Sequence, residues 1–98
     1  MELTLIIEGK EKTFKQPAYL PALYFKGSLV LVTKLEKEFS VDLLDDAVEL
    51  IATKLYNNNF TAEEFWMGVD AGDVTEVIMN CLASTAQRVS KKLETVKN

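Results

Sequence analysis

The segment Phe60-Thr61-Ala62-Glu63-Glu64-Phe65-Trp66-Met67, running on through Val69-Asp70 to Ile78, is the best-specified part of this chain. Thr61 and Glu64 have the spacing of a capping box. The Thr61 hydroxyl accepts from the Glu64 N–H, and the Glu64 carboxylate reaches back to the Thr61 N–H. Phe60 and Phe65 flank the box as the N′ and N4 members of a hydrophobic staple. The same grammar recurs in Val69, Asp70, Asp73 and Val74. The spacing therefore predicts a short helix over about 61–69, followed at once by a longer one over about 71–94. The remaining elements must pack around that corner.

Working towards the N-terminus, Asn57-Asn58-Asn59 ends the preceding helix, because Asn tolerates the left-handed conformation of a helix C-terminus. Ser40 caps its start, with Asp42 in the first turn where a carboxylate favours the helix dipole. Between them Leu44, Ala47, Val48, Ile51 and Leu55 keep helical period, giving a helix over about 41–57. Pro21 suits the first turn of an earlier helix, over about 21–39, with Tyr24, Leu31, Leu35 and Phe39 on one stripe. Gly27-Ser28 before the all-round apolar run Leu29-Val30-Leu31-Val32 leaves a strand there as the alternative. If the run is helical, more than one of its faces is covered, by the core or by a neighbouring copy. At the start, Leu3, Leu5 and Ile7 alternate with Glu2, Thr4 and Ile6 as in a strand. Gly9-Lys10 supplies a turn with Gly first, and Glu11 to Lys15 returns with Phe14 on the core side. No third strand is offered, so one hairpin edge stays open.

Towards the C-terminus the last helix carries Val74, Val77, Ile78, Cys81, Leu82, Val89 and Leu93 on one stripe, interrupted at Thr85. The tail 84–98 is rich in polar residues and either frays beyond the core or orders on a partner. The expected architecture is α+β and mainly helical: a hairpin over 2–15 followed by about four helices in a small bundle, all in one domain. A chain of 98 residues, 48% hydrophobic and 27% charged, has the material for one core and one domain.

Composition excludes more chemistry than it suggests. There is no histidine, which removes His-based acid–base catalysis, the Ser-His and Cys-His pairs and His metal ligands. The one cysteine, Cys81, sits at helical spacing among apolar residues and reads as a buried structural thiol. Asp42, Asp45, Asp46 and Glu49 fall on a helix rather than on a loop of alternating ligands, so they read as a solvated face and not a calcium site. No catalytic residue, metal or cofactor is implied. Met1 to Ile7 is too short and too alternating for a signal peptide, and no apolar run reaches membrane-spanning length. The expectation is a cytosolic chain that binds neither membrane nor nucleic acid.

The net charge of −4 conceals an asymmetry. Between Ser40 and Glu76 the acids face the single base Lys54, whereas from Thr85 onward Arg88, Lys91, Lys92 and Lys97 face only Glu94. Two solvated helix faces explain this; charge complementarity between copies or towards a basic partner is the sharper reading. Trp66 stands next to Phe65, so on a helix the two side chains diverge by roughly 100°. It is the candidate exposed anchor, in a groove lined by Trp66, Met67, Ile78 and Leu82, although a core role is as well supported.

Taken together, Leu3 to Phe14, Phe60 to Ala71 and Ile78-Met79-Asn80 resemble the small tail assembly chaperones of long-tailed bacteriophages and prophages of Gram-positive bacteria. The resemblance covers roughly 1–83 and is carried by these pieces in order; it departs at Gly27 to Val32, where members often have a basic amphipathic helix. It implies a non-enzymatic protein that binds the tape measure protein before the tail tube polymerises. It also implies action in the host cytoplasm, often in many copies, absence from the mature virion, and a longer frameshifted form. Self-association in rings or spirals is predicted separately, from the open hairpin edge, the apolar Leu29 to Val32 and the acidic-middle, basic-tail asymmetry. The competing reading is a small cytosolic acidic interaction module, an adaptor or inhibitor unrelated to tails.

Overall fold

In the computed structural model, residues 1–97 are described, with side chains for 1–88. An antiparallel hairpin, β1 (Glu2–Ile7) and β2 (Lys10–Lys15), precedes four helices: α1 (Ala22–Lys37), α2 (Val41–Leu50), α3 (Ala62–Gly68) and α4 (Val74–Lys97). The α+β, mainly helical architecture is thus as the sequence predicts. The hairpin pairs Glu2 with Lys15 and closes with Ile7 opposite Lys10. Its turn differs from the expected Gly9-Lys10. Glu8 and Gly9 are the two central residues, with φ of 54° and 77°. Two consecutive positive φ values mark a type I′ turn, whose twist matches that of the strands. Gly9 therefore takes the second central position rather than the first.

Leu3 and Leu5 point into the core, while β2 is exposed except for the half-buried Phe14 opposite Leu3. Helix α3 lies on β1, closest at Gly68. A Cβ there would come within 3.0 Å of the Ile6 carbonyl oxygen and of the Leu5 Cβ. Helix α1 packs on α4 and α2. It runs unbroken through Gly27-Ser28 and the Leu29 to Val32 run, so the strand alternative is not taken. Small residues are what the packing wants here: Ser28 is fully buried, and Gly27 leaves room for the Leu50 side chain, whose methyls lie 3.8–3.9 Å from where a Cβ would stand. The Ser28 hydroxyl donates to the Tyr24 carbonyl at 2.8 Å, so its burial strands no polar group. Phe39, expected on the core stripe, lies beyond the end of α1 and is 64% exposed.

The helix expected to run to 57 regularly instead widens. After Leu50 it continues as a π-helical segment, Ile51–Leu55, in which the Tyr56 N–H reaches the Ile51 carbonyl at 3.0 Å. Five-residue hydrogen bonding places more than four residues in a turn, so residue i+4 falls nearly above residue i. Ile51 and Leu55, and likewise Ala52 and Tyr56, are thereby brought into line, and all four are fully buried. Asn57 and Asn58 then take φ of 54° and 61°, which ends the helix as the triple Asn predicts. At the second corner Asp70 does not begin a helix. Its carboxylate accepts from the Gly72 N–H at 2.9 Å in a turn, and α4 starts at Val74, three residues later than expected. Ser84 and Thr85, read as the start of a fraying tail, are buried and return their hydroxyls to the Cys81 and Leu82 carbonyls at 2.6 and 2.9 Å. The stripe positions Val89 and Leu93, and the rest of the tail, lie outside the described side chains.

Candidate partner-binding surfaces

The corner that opens α3 is built from its own side chains. Thr61 Oγ1 accepts from the Glu64 N–H at 3.0 Å, and Glu64 Oε1 accepts from the Thr61 N–H at 2.9 Å, completing the capping box. Behind it the aromatic rings form a row. Phe60 lies 5.0 Å from Phe14, 5.3 Å from Tyr56 and 6.3 Å from Phe65, and the Trp66 ring meets Phe65 edge-on at 6.3 Å. This row ties the hairpin, the end of α2 and α3 into one apolar body.

Of the four residues read as lining a groove, Ile78 and Leu82 are enclosed in the core, at 0% and 1% exposure. Both face inward with Cys81 on the side of α4 that packs against α1 and α2. Trp66 is half-buried, and Met67 stands out at 79% exposure. Only the last two reach the surface of the isolated chain. Met67 instead shares a cleft with Ile6, Ile7, Glu8, Thr61, Glu63 and Glu64, about 250 Å³ in volume. That is too small for a typical ligand pocket but ample for one large apolar side chain. Its lining combines the apolar Ile6, Ile7 and Met67 with the acids Glu8, Glu63 and Glu64, and no base is among the lining residues.

A second apolar surface lies on α1. Leu23, Leu29 and Val30 are 69%, 43% and 45% exposed. Lys26, Lys34 and Lys37 are exposed on the same helix. The sequence does not single out Ile6, whereas for Leu29 to Val32 it predicts a face covered by the core or by a neighbouring copy. The signals were present: Ile6-Ile7 breaks the strand alternation, and Leu29 to Val32 is apolar all round, which leaves side chains pointing away from any one core.

The interior offers little reactivity. Cys81 is fully buried, and burial pushes its thiol up to about 12, with the neighbouring Tyr56 opposing the shift. Tyr56 is raised as well, by burial first and by the neighbouring Cys81 next. The Tyr56 hydroxyl donates to the Met1 carbonyl at 3.3 Å. A thiol held protonated is a poor nucleophile, so this pair is structural. No helix among the described residues is long and apolar enough to cross a membrane. What the surface presents is contact area: two apolar patches with opposite charges around them.

A family model described as "Phage tail chaperone protein" matches residues 1–98, the whole length, and the chain belongs to that family. No curated protein and no solved structure matches it.

Proposed function

We propose that this member of the phage tail chaperone family binds and shields the tape measure protein during tail assembly, in many copies and without chemistry. The observation that carries the reading is the full-length family match. The surface supports it. A long, apolar, helical partner needs its side chains covered until the tube forms around it, and a small domain with exposed apolar patches does that by repetition rather than by strength at one site. On this reading the chain works in the cytoplasm of a Gram-positive host, self-associates along its partner, leaves before the virion matures, and has a longer frameshifted form. Trp66 and Met67 are the contact residues proposed at the α3 corner, Trp66 as an anchor partly withheld by Phe65.

The test is co-expression with fragments of a phage tape measure protein. A fragment that is insoluble alone should stay soluble and co-purify with the chaperone. Met67→Asp should weaken capture at least tenfold while leaving the melt unchanged, because Met67 is almost fully exposed. The single Trp66 should shift its emission to the blue when the fragment binds. A chaperone that neither solubilises nor retains any fragment would refute the role and leave the acidic interaction module standing.

A further inference from the structure

Two surfaces of this chain match each other. The cleft between β1 and α3 is lined by the apolar Ile6, Ile7 and Met67 together with the acids Glu8, Glu63 and Glu64. The outer side of α1 carries Leu23, Lys26, Val30, Lys34 and Lys37 at spacings that share one face. All five are exposed. Apolar centres and opposite charges therefore occur as a pair, on elements that do not pack together: α1 sits on α2 and α4, while α3 sits on β1.

We infer that the outer face of α1 of one copy docks, through Leu23 or Val30, into the Ile6–Met67 cleft of the next copy, with Lys26, Lys34 and Lys37 set against Glu8, Glu63 and Glu64. The occupant is a second copy because the complementary surface is present in every chain. The contact is head-to-tail. Joining two acidic clefts, or two basic helix faces, would bring like charges together. After the first head-to-tail contact the pair keeps one free cleft and one free α1 face, so the assembly grows into a ring or an open spiral instead of stopping at a dimer. The open edge of β2 is not needed. Lys10, Lys12 and Lys15 on that strand disfavour edge-to-edge pairing. The inference rests on the proposed reading of the chain as a multi-copy coat, to which it adds the surfaces that join.

Sedimentation velocity across protein concentration is the test. Wild-type mass should rise past that of a dimer at low salt and fall as salt screens the opposite charges. K26E with K34E, and separately E8K with E63K, should each be monomeric. An equimolar mixture of the two variants should associate again, since each then meets an opposite charge at both surfaces. That rescue also shows that both variants are folded. A wild-type chain that stays monomeric at its highest attainable concentration, or a mixture that does not recover, overturns the inference. Capture of a tape measure fragment separates it from the functional reading. Monomeric variants that still capture the fragment confine the charges of Lys26, Lys34, Glu8 and Glu63 to copy–copy contact, as inferred. Loss of capture with association intact assigns the surfaces to the partner and overturns the inference.

Discussion

Thr61, Phe65, Gly68 and Cys81 are four residues whose stability effects differ in kind. Thr61→Ala removes one capping partner at an exposed helix start and should cost about 1 kcal/mol. Phe65→Ala empties a fully buried ring site between Phe60 and Trp66 and should cost roughly 3–5 kcal/mol. Denaturant melts that ranked Phe65→Ala no worse than Thr61→Ala would contradict the staple. Gly68→Ala presses a methyl onto the β1 backbone, which has no rotamer to escape into, so a loss of about 1–3 kcal/mol is expected. A stable Gly68→Ala variant would mean that α3 lifts off β1 cheaply. Cys81 acts through pH. Its thiol is neutral when protonated, and burial raises the folded value from 9.0 to about 12. The unfolded chain thus releases the proton first as pH rises. The stabilisation is complete below about pH 9 and is lost towards about pH 12. Between about pH 8 and about pH 10.5 the wild type should lose on the order of 2 kcal/mol from this group, a loss absent in Cys81→Ala. Equal alkaline slopes for the two proteins would show that the thiol is not buried as described.

Among the elements, those with local instructions were legible in the sequence. The capping box and staple at Thr61 and Phe60, the Ser40 cap and the Asn57-Asn58 stop all reside in side chains that bond their own backbone or neighbours, and each is found where it was read. What depends on distant partners was not legible. The π-helical segment at Ile51–Leu55 exists to bury four residues at once against several elements, which no local pattern states. Ile78 and Leu82 belong to an apolar stripe that the sequence lets line a groove beside Trp66 and Met67; in the fold both are enclosed, and α4 packs on α1 and α2. The segment between hairpin and α1 is a third case. Arg88 of α4 donates to the Pro17 carbonyl at 2.8 Å, and to the Ala18 carbonyl and Gln16 Oε1 at 3.2 Å. Gln16 Nε2 in turn donates to the buried Ser84 hydroxyl at 2.7 Å. Arg88 was read only as one of several tail bases, yet it straps the connection onto α4. Arg88→Met keeps the aliphatic stem and removes these bonds, so a loss of roughly 1–3 kcal/mol is expected. Hydrogen exchange should quicken most in the Gln16 to Leu20 segment and at the start of α1. Uniform quickening across the whole chain, with no local excess there, would argue against a strap.

For the whole molecule the question is whether hairpin and helices stand or fall together. A two-stranded hairpin is marginal alone in water. Here Leu3 and Leu5 belong to the same buried cluster as Val48, Ile51, Phe60 and Ile78, so the hairpin and the helices share one core. The aromatic row reinforces this, since Phe14 of β2 touches Phe60 ahead of α3. The chain start is held as well: the Met1 carbonyl accepts from Tyr56 and from the Gln16 N–H. Unfolding the hairpin would expose the apolar faces of α3 and of the π-helical segment at once. Equilibrium unfolding should therefore be two-state, with helical circular dichroism and Trp66 fluorescence giving one superimposable transition. Trp66 is well placed to report, because it sits on α3 with its ring against Phe65, one contact from the hairpin-facing Phe60. Leu5→Ala, a substitution in β1 alone, should lower both transitions equally, by about 2–5 kcal/mol. If fluorescence moved first and the helical signal persisted at higher denaturant, the hairpin and α3 would form a separable unit. The shared core of Leu5, Phe60 and Ile78 would then be weaker than their complete burial implies.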